Sequence, residues 1–145
     1  MRIMGLDFGD KRIGVALSDP LGWTAQGLEV IQRGASVAAD IKRIKEIVDK
    51  YQVERIVLGL PKNMDGSPGP AAEKVKSFAG NLAGVLKIPV DFWDERLSTV
   101  AAEKLLIEAD MSRARRRKVV DKMAAVMILQ GYLDSPKNDP AKSGE

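Results

Sequence analysis

Three short apolar runs of strand character follow one another in the first 32 residues, with no stretch between them long enough for a helix. Only after Gly34 does the hydrophobic period lengthen from two residues to 3.6. Arg2 to Phe8 and Arg12 to Ser18 are separated by Gly9, Asp10 and Lys11, the spacing of a hairpin with a three-residue loop. Pro20 and Gly22 break the chain, and Leu28 to Gln32 supplies a third strand. A helix follows, with Ser36 as its cap and Val37, Ile41, Ile44, Ile47, Val48 and Tyr51 on one face. Arg55 to Leu60 reads as a buried strand, Pro70 opens a second helix that Pro89 stops, and Val90 to Trp93 is a fifth strand. A helix capped by Ser98 and ending near Ala109 is expected next, then a last one from about Arg113 to Leu133. Three strands followed by alternating helix and strand predict an α/β fold: a mixed five-stranded sheet flanked by helices on both faces. Strand one should be central, between strand two and the Arg55 to Leu60 strand. Residues 1–134 are expected to form one domain, and 135–145, with two prolines and a glycine, a disordered tail.

Composition removes whole classes of chemistry. The 145 residues include no cysteine and no histidine, which excludes disulfides, ordinary zinc sites, Ser-His-Asp triads and histidine bases together. Carboxylate, lysine, tyrosine or metal chemistry remains. No apolar run approaches the roughly 18 residues of a membrane span, and Met1 to Phe8 lacks a signal-peptide pattern, so a soluble, cytoplasmic protein without membrane contact is expected. A net charge of +3 and a pI near 9.2 favour an acidic partner.

Three acids stand where apolar residues would be expected. Asp7 interrupts the first strand near its carboxyl end, among neighbours that make an ionised carboxylate costly unless a cation or donor meets it. Glu95 directly follows the fifth strand, and open α/β sheets bind ligands at the carboxyl ends of their strands. Asp121 shares a helical face with Ala124, Ala125 and Ile128 in VVDKMAAVMILQGYL, a segment apolar enough to lie against the sheet. Each has a plainer alternative: Asp7 can serve the turn at Gly9 to Lys11, Glu95 can pair with Arg96, and Asp121 can be a charge near a helix start. Converging, the three would form an oxygen-only site suited to Mg²⁺ or Mn²⁺, where metal-activated water makes a histidine base unnecessary.

The run SRARRRKVVDK carries Arg113, Arg115, Arg116, Arg117 and Lys118 beside Asp121. Positive charge at a helix start opposes the macrodipole, and a phosphate backbone would compensate for it. Arg12, Lys62 and Arg96, with Lys11, fall in loops or strand ends that can border the same cleft, so Arg12, Lys62, Arg96, Arg115, Arg116, Arg117 and Lys118 are the candidate nucleic-acid contacts. The loop LGLPKNMDGSPGP lacks P-loop spacing and reads as a candidate substrate-contacting loop.

Taken in order, GLDFGDKRIGVALSDPLG, TAQ, GLPKNMDGSPGP, DERLST and KVVDKMAAVMILQGYL resemble the signatures of the YqgF family, also described as RuvX or Holliday-junction resolvase-like proteins and associated with maturation of pre-16S ribosomal RNA. The resemblance runs from about Met1 to Leu133 and implies a ribonuclease H-like fold. It further implies metal-dependent nuclease activity, with Asp7, Glu95 and Asp121 at the positions of the family's acidic triad. Asp10 departs from it, because relatives commonly carry threonine or serine there, and an extra carboxylate could join the metal site or face solvent. The implied substrate is precursor ribosomal RNA, with branched DNA as the alternative. A non-catalytic nucleic-acid-binding module and a phosphate-binding ATPase of the actin and sugar-kinase type are the other readings; retention of the three acids argues against the first and chain length against the second.

Overall fold

The computed structural model describes residues 2–61, 65, 69–94 and 113–135, with side chains in the last stretch from 122 onward. The elements are β1 (Arg2–Phe8), β2 (Arg12–Ser18), β3 (Ala25–Gln32), α1 (Val37–Tyr51), β4 (Val53–Leu60), α2 (Pro70–Leu86), β5 (Val90–Asp94) and α3 (Arg113–Leu133). The strands form one sheet in the order β3-β2-β1-β4-β5. β1 pairs antiparallel with β2 and parallel with β4, and β5 continues the parallel half, so β1 is central as expected.

Strand alternation sorts the core into two layers. Met4, Leu6, Ile13, Val15, Ile56 and Leu58 point toward α1 and α2 and meet Ile41, Ile44, Ile47, Phe78 and Leu82. Ile3, Ala16 and Val57 point the other way, onto Ala124, Ala125, Ile128, Leu129 and Tyr132 of α3. Helices therefore cover both faces. α1 starts where Ser36 accepts a hydrogen bond from the Ala39 amide at 3.2 Å, and it ends at Gln52 in a left-handed conformation (φ 54°).

Three strands are longer than their sequence signal, β5 by one residue, Asp94, which pairs with Leu60. β3 begins at Ala25 rather than Leu28, because the Ala25 amide bonds to the Gln130 side chain at 3.0 Å and Gly27 lies under the Lys122 stem. β4 begins at Val53, paired with Arg2. Val85, placed on the apolar face of α2 by its period, is 52% exposed, whereas Leu86 beside it packs against the core. The helix expected between Ser98 and Ala109 and the tail beyond Ser135 lie outside the described residues.

Candidate active site at the carboxyl edge of the sheet

β1, β4 and β5 are parallel, so their carboxyl ends share one edge of the sheet, with Leu6 level with Leu58, that residue level with Phe92, and Leu60 level with Asp94. The antiparallel β2 starts at the same edge with Arg12, next to the 9–11 turn. Asp7 sits there, 9% exposed and paired across the strands with Gly14. Its strand position alternates with Leu6 and Phe8, so it belongs to the α3 side of the sheet, with Ile3 and Gly5.

Small residues bring α3 close to that side. A Cβ on Gly5 would stand 2.6 Å from the Leu129 Cβ and 3.1 Å from the Ala125 carbonyl oxygen, so the helix backbone rests almost on the strand. The direction of the helix follows from its contacts. The Tyr132 hydroxyl bonds to Arg55, whose strand position is level with Ile3, whereas Ala125 and Leu129 lie over Gly5. α3 thus runs opposite to β1. One helical turn before Ala125, about 5.4 Å along the axis, its backbone reaches Asp121, while β1 advances about 6.6 Å from Gly5 to Asp7.

The other expected site residues divide clearly. Arg12 is half-buried at the start of β2, on the Asp7 edge. Arg115, Arg116, Arg117 and Lys118 belong to the first turns of α3, and their side chains, like that of Asp121, lie outside the described residues. Glu95, Lys62 and Arg96 are outside them altogether, Glu95 immediately after the end of β5. Among the described residues no three acidic side chains cluster as a metal site. Asp10 faces away from Asp7: it is largely exposed and pairs with Lys74 of α2 at 3.2 Å. Beside it a cavity of about 470 Å³ opens between Arg33, Val37, Lys74, Ser77 and Asn81, on the α1 and α2 side.

Sequence reasoning missed a buried ion pair behind the site. Asp40, 2% exposed, accepts bonds from the Arg33 Nε at 3.0 Å and the Gly34 amide at 2.8 Å. A signal was present, since Asp40 stands four residues before Ile44 and seven before Ile47, on the stripe that buries α1. A second network lies at the opposite edge. The Tyr132 hydroxyl donates to Asp91 at 2.8 Å, and Arg55 bonds both Asp91 (2.6 Å) and Tyr132 (3.1 Å). Burial raises the ionisation of Tyr132 above its ordinary value, with the bond to Asp91 adding to the shift and Arg55 opposing it. Burial would lower Arg55, but its bonds to Tyr132 and Asp91 outweigh that and raise it. Also at that edge, the amides of Thr24 and Trp23 lower Asp19 by bonding its carboxylate.

The central β1, the antiparallel hairpin beside it, the parallel half-sheet and a helix closing the back over Asp7 define a ribonuclease H-like protein. In solved structures the same arrangement is found in Thermus thermophilus RuvC bound to a Holliday junction (TM-score 0.57, 18% identity, 92% of this chain and 93% of that one). Residues 1–135 match the model of the RuvX family, described as Holliday junction resolvase, and the chain belongs to that family. A Pelotomaculum thermopropionicum protein named as a candidate pre-16S rRNA nuclease is 62% identical over 144 residues, covering 99% of this chain and 94% of that protein. A Desulforamulus reducens protein of the same name is 62% identical over 135 residues, covering 93% and 98%.

Proposed function

We propose that this chain is a cytoplasmic divalent-metal-dependent endonuclease that hydrolyses phosphodiesters of precursor 16S ribosomal RNA, with Asp7, Glu95 and Asp121 holding the metal. The observation that carries this reading is Asp7, buried at the carboxyl edge on the side where α3 lies against Gly5 and where one further helical turn leads to Asp121. Odd positions of β5 also belong to that side, since Asp91 and Trp93 meet α3, and Glu95 is the next odd position. The donor set fits a hard cation: it is all oxygen, in a chain with no histidine or cysteine to draw a softer metal. Mg²⁺ or Mn²⁺ bound there would supply an activated water and charge stabilisation for the leaving oxygen. Around it, Arg12 with the α3 residues Arg115, Arg116, Arg117 and Lys118, and Lys62 and Arg96, which follow β4 and β5 in sequence, would hold phosphates. The names of the relatives support ribosomal RNA as substrate. The family description supports a branched DNA junction as the competing one.

Purified protein incubated with precursor 16S RNA and with a four-way DNA junction, in Mg²⁺ and in Mn²⁺, decides between them. RNA cleavage is expected, and Asp7→Asn and Asp121→Asn should each lower it by orders of magnitude while leaving RNA binding in place. Without metal, Asp121→Asn should melt at or above the wild-type temperature, because a carboxylate in an otherwise apolar stretch strains the metal-free fold. Junction cleavage alone would transfer the substrate to DNA. Cleavage undiminished in Asp7→Asn would remove the metal site.

A further inference from the structure

A carboxylate that must meet a metal ion has one face it cannot use for support, because substrate and cation need it. Asp7 lies on the α3 side of the sheet, and the turn that follows its strand is held from the other side as well. On that side one residue grips the whole β1–β2 turn. The Arg33 backbone amide donates to the Lys11 carbonyl at 3.0 Å, and its Nη1 donates to the carbonyls of Gly9 at 3.2 Å and Asp10 at 3.3 Å. All three turn residues are thereby bonded by Arg33. Its guanidinium also lies 4.5 Å from the centre of the Phe8 ring, the residue next to Asp7, and Phe8 stacks on Phe78 of α2 at 4.3 Å.

The arginine is itself held. Its Nε bonds Asp40, whose other oxygen accepts the Gly34 amide, and Asp40 is almost wholly buried in the first turn of α1. A buried carboxylate is costly unless paired, so the arrangement has one low-energy geometry, with the planar guanidinium locked between Asp40 and the turn. Salt bridges on surfaces are loose, but this one joins α1, β3 and the turn in a single bonded chain.

We infer that Arg33, fixed by Asp40, is a positioning residue for the metal site: it sets where the β1 end carries the Asp7 carboxylate, and so how tightly the site holds a divalent cation. The inference rests on the reading of Asp7 as a metal ligand. Lysine at position 33 keeps the charge but has one nitrogen in place of the Nε and Nη1 that reach Asp40 and the carbonyls separately, so Arg33→Lys should fold while losing the lock; Asp40→Asn removes it from the other partner.

Mn²⁺ binding, followed by electron paramagnetic resonance on the full chain, reads the effect without any turnover. Both variants should bind Mn²⁺ about 10- to 100-fold more weakly than wild type, the range typical when the support of a metal ligand is removed. Cleavage in limiting Mn²⁺ should fall with it and recover at high Mn²⁺, whereas RNA binding in the absence of metal stays the same. Tyr132→Phe, which loosens the fold at the opposite edge, serves as the comparison and should leave Mn²⁺ affinity unchanged. If Arg33→Lys and Asp40→Asn melt lower but bind Mn²⁺ like wild type, the pair is a fold-holding ion pair and the inference is overturned. If wild type binds Mn²⁺ through Asp7 and cleaves no RNA, the nuclease reading fails while the positioning role is still decided by the affinities.

Discussion

The two faces of the sheet differ in how closely their helices approach. Toward α1 and α2 the contacts are made by large branched and aromatic side chains: Leu6, Ile13, Ile44, Ile56, Phe78 and Leu82 are all at most 2% exposed. Toward α3 the small residues Gly5, Ala16, Ala124 and Ala125 stand among large ones such as Ile3, Ile128, Leu129 and Tyr132, and the helix lies nearly on the strand. Large side chains hide more apolar area, about 25 cal/mol per Å², so the first face contributes most of the stability. Small ones allow close approach, so the second fixes the distance between β1 and α3, the two elements that carry Asp7 and Asp121. The larger share of apolar burial and the close approach of β1 to α3 thus fall on different sides of one sheet.

The most severe way to break this division is to remove volume from the first face. Leu82 is fully buried against that core, and Leu82→Ala should cost about 2–5 kcal/mol, the range for a leucine whose cavity cannot collapse. Chemical denaturation should give a lower midpoint with a similar slope. Cleavage per folded molecule should hardly change, because Leu82 belongs to the core layer of α1 and α2 and not to the one that meets α3. A loss of activity exceeding the loss of folded protein would show that the faces are coupled.

A smaller change on the second face should do the reverse. Gly5→Ala adds one methyl group where the Leu129 Cβ and the Ala125 carbonyl oxygen already stand, and neither is the movable end of a side chain. The helix must shift outward, at about 1–3 kcal/mol for overpacking. Activity should fall further than stability does, since a misplacement of about 1 Å can cost 100-fold in rate. Truncating Leu129 as well should not restore it, because alanine keeps the offending Cβ. A Gly5→Ala protein with wild-type cleavage would mean that the spacing of β1 and α3 does not govern the site.

This division explains which parts were legible in the sequence. The strands and helices of the first face announce themselves by period, since Ile41, Ile44, Ile47 and Val48 can be nothing but a buried stripe. Asp7 and Asp121 were visible because an acid in an apolar context is anomalous whatever the fold. The order of the sheet followed from the hairpin and the two buried strands. What stayed hidden depends on contacts between distant residues. Arg33 and Asp40 look like an ordinary loop arginine and a helix-start aspartate until the 9–11 turn is brought beside them. The early start of β3 depends on Gln130, more than 100 residues away. Glycine at positions 5 and 27 would count against a strand by propensity, yet each is where a helix side chain or backbone comes closest.

The gentlest test concerns the far end of α3, where the helix is tied to β4 and β5 by Tyr132. Removing the hydroxyl in Tyr132→Phe deletes its bonds to Asp91 and Arg55 but leaves those two paired at 2.6 Å, so no buried charge is stranded. The cost should be about 1 kcal/mol, that of an ordinary hydrogen bond. Its signature is the pH dependence. Burial raises the ionisation of Tyr132 in the folded protein above that in the unfolded chain, so the folded state keeps the phenolic proton longer. The stabilisation is therefore complete below about pH 10, the unfolded value, and is lost as pH rises through the folded one. The informative quantity is the difference between wild-type and Tyr132→Phe stability at each pH, which isolates the hydroxyl. That difference should be constant from neutral pH to about pH 10 and shrink above it. A difference that stays flat into strong alkali would mean that the hydroxyl ionises no later in the folded protein than in the unfolded chain, and that α3 is held at this end by packing alone.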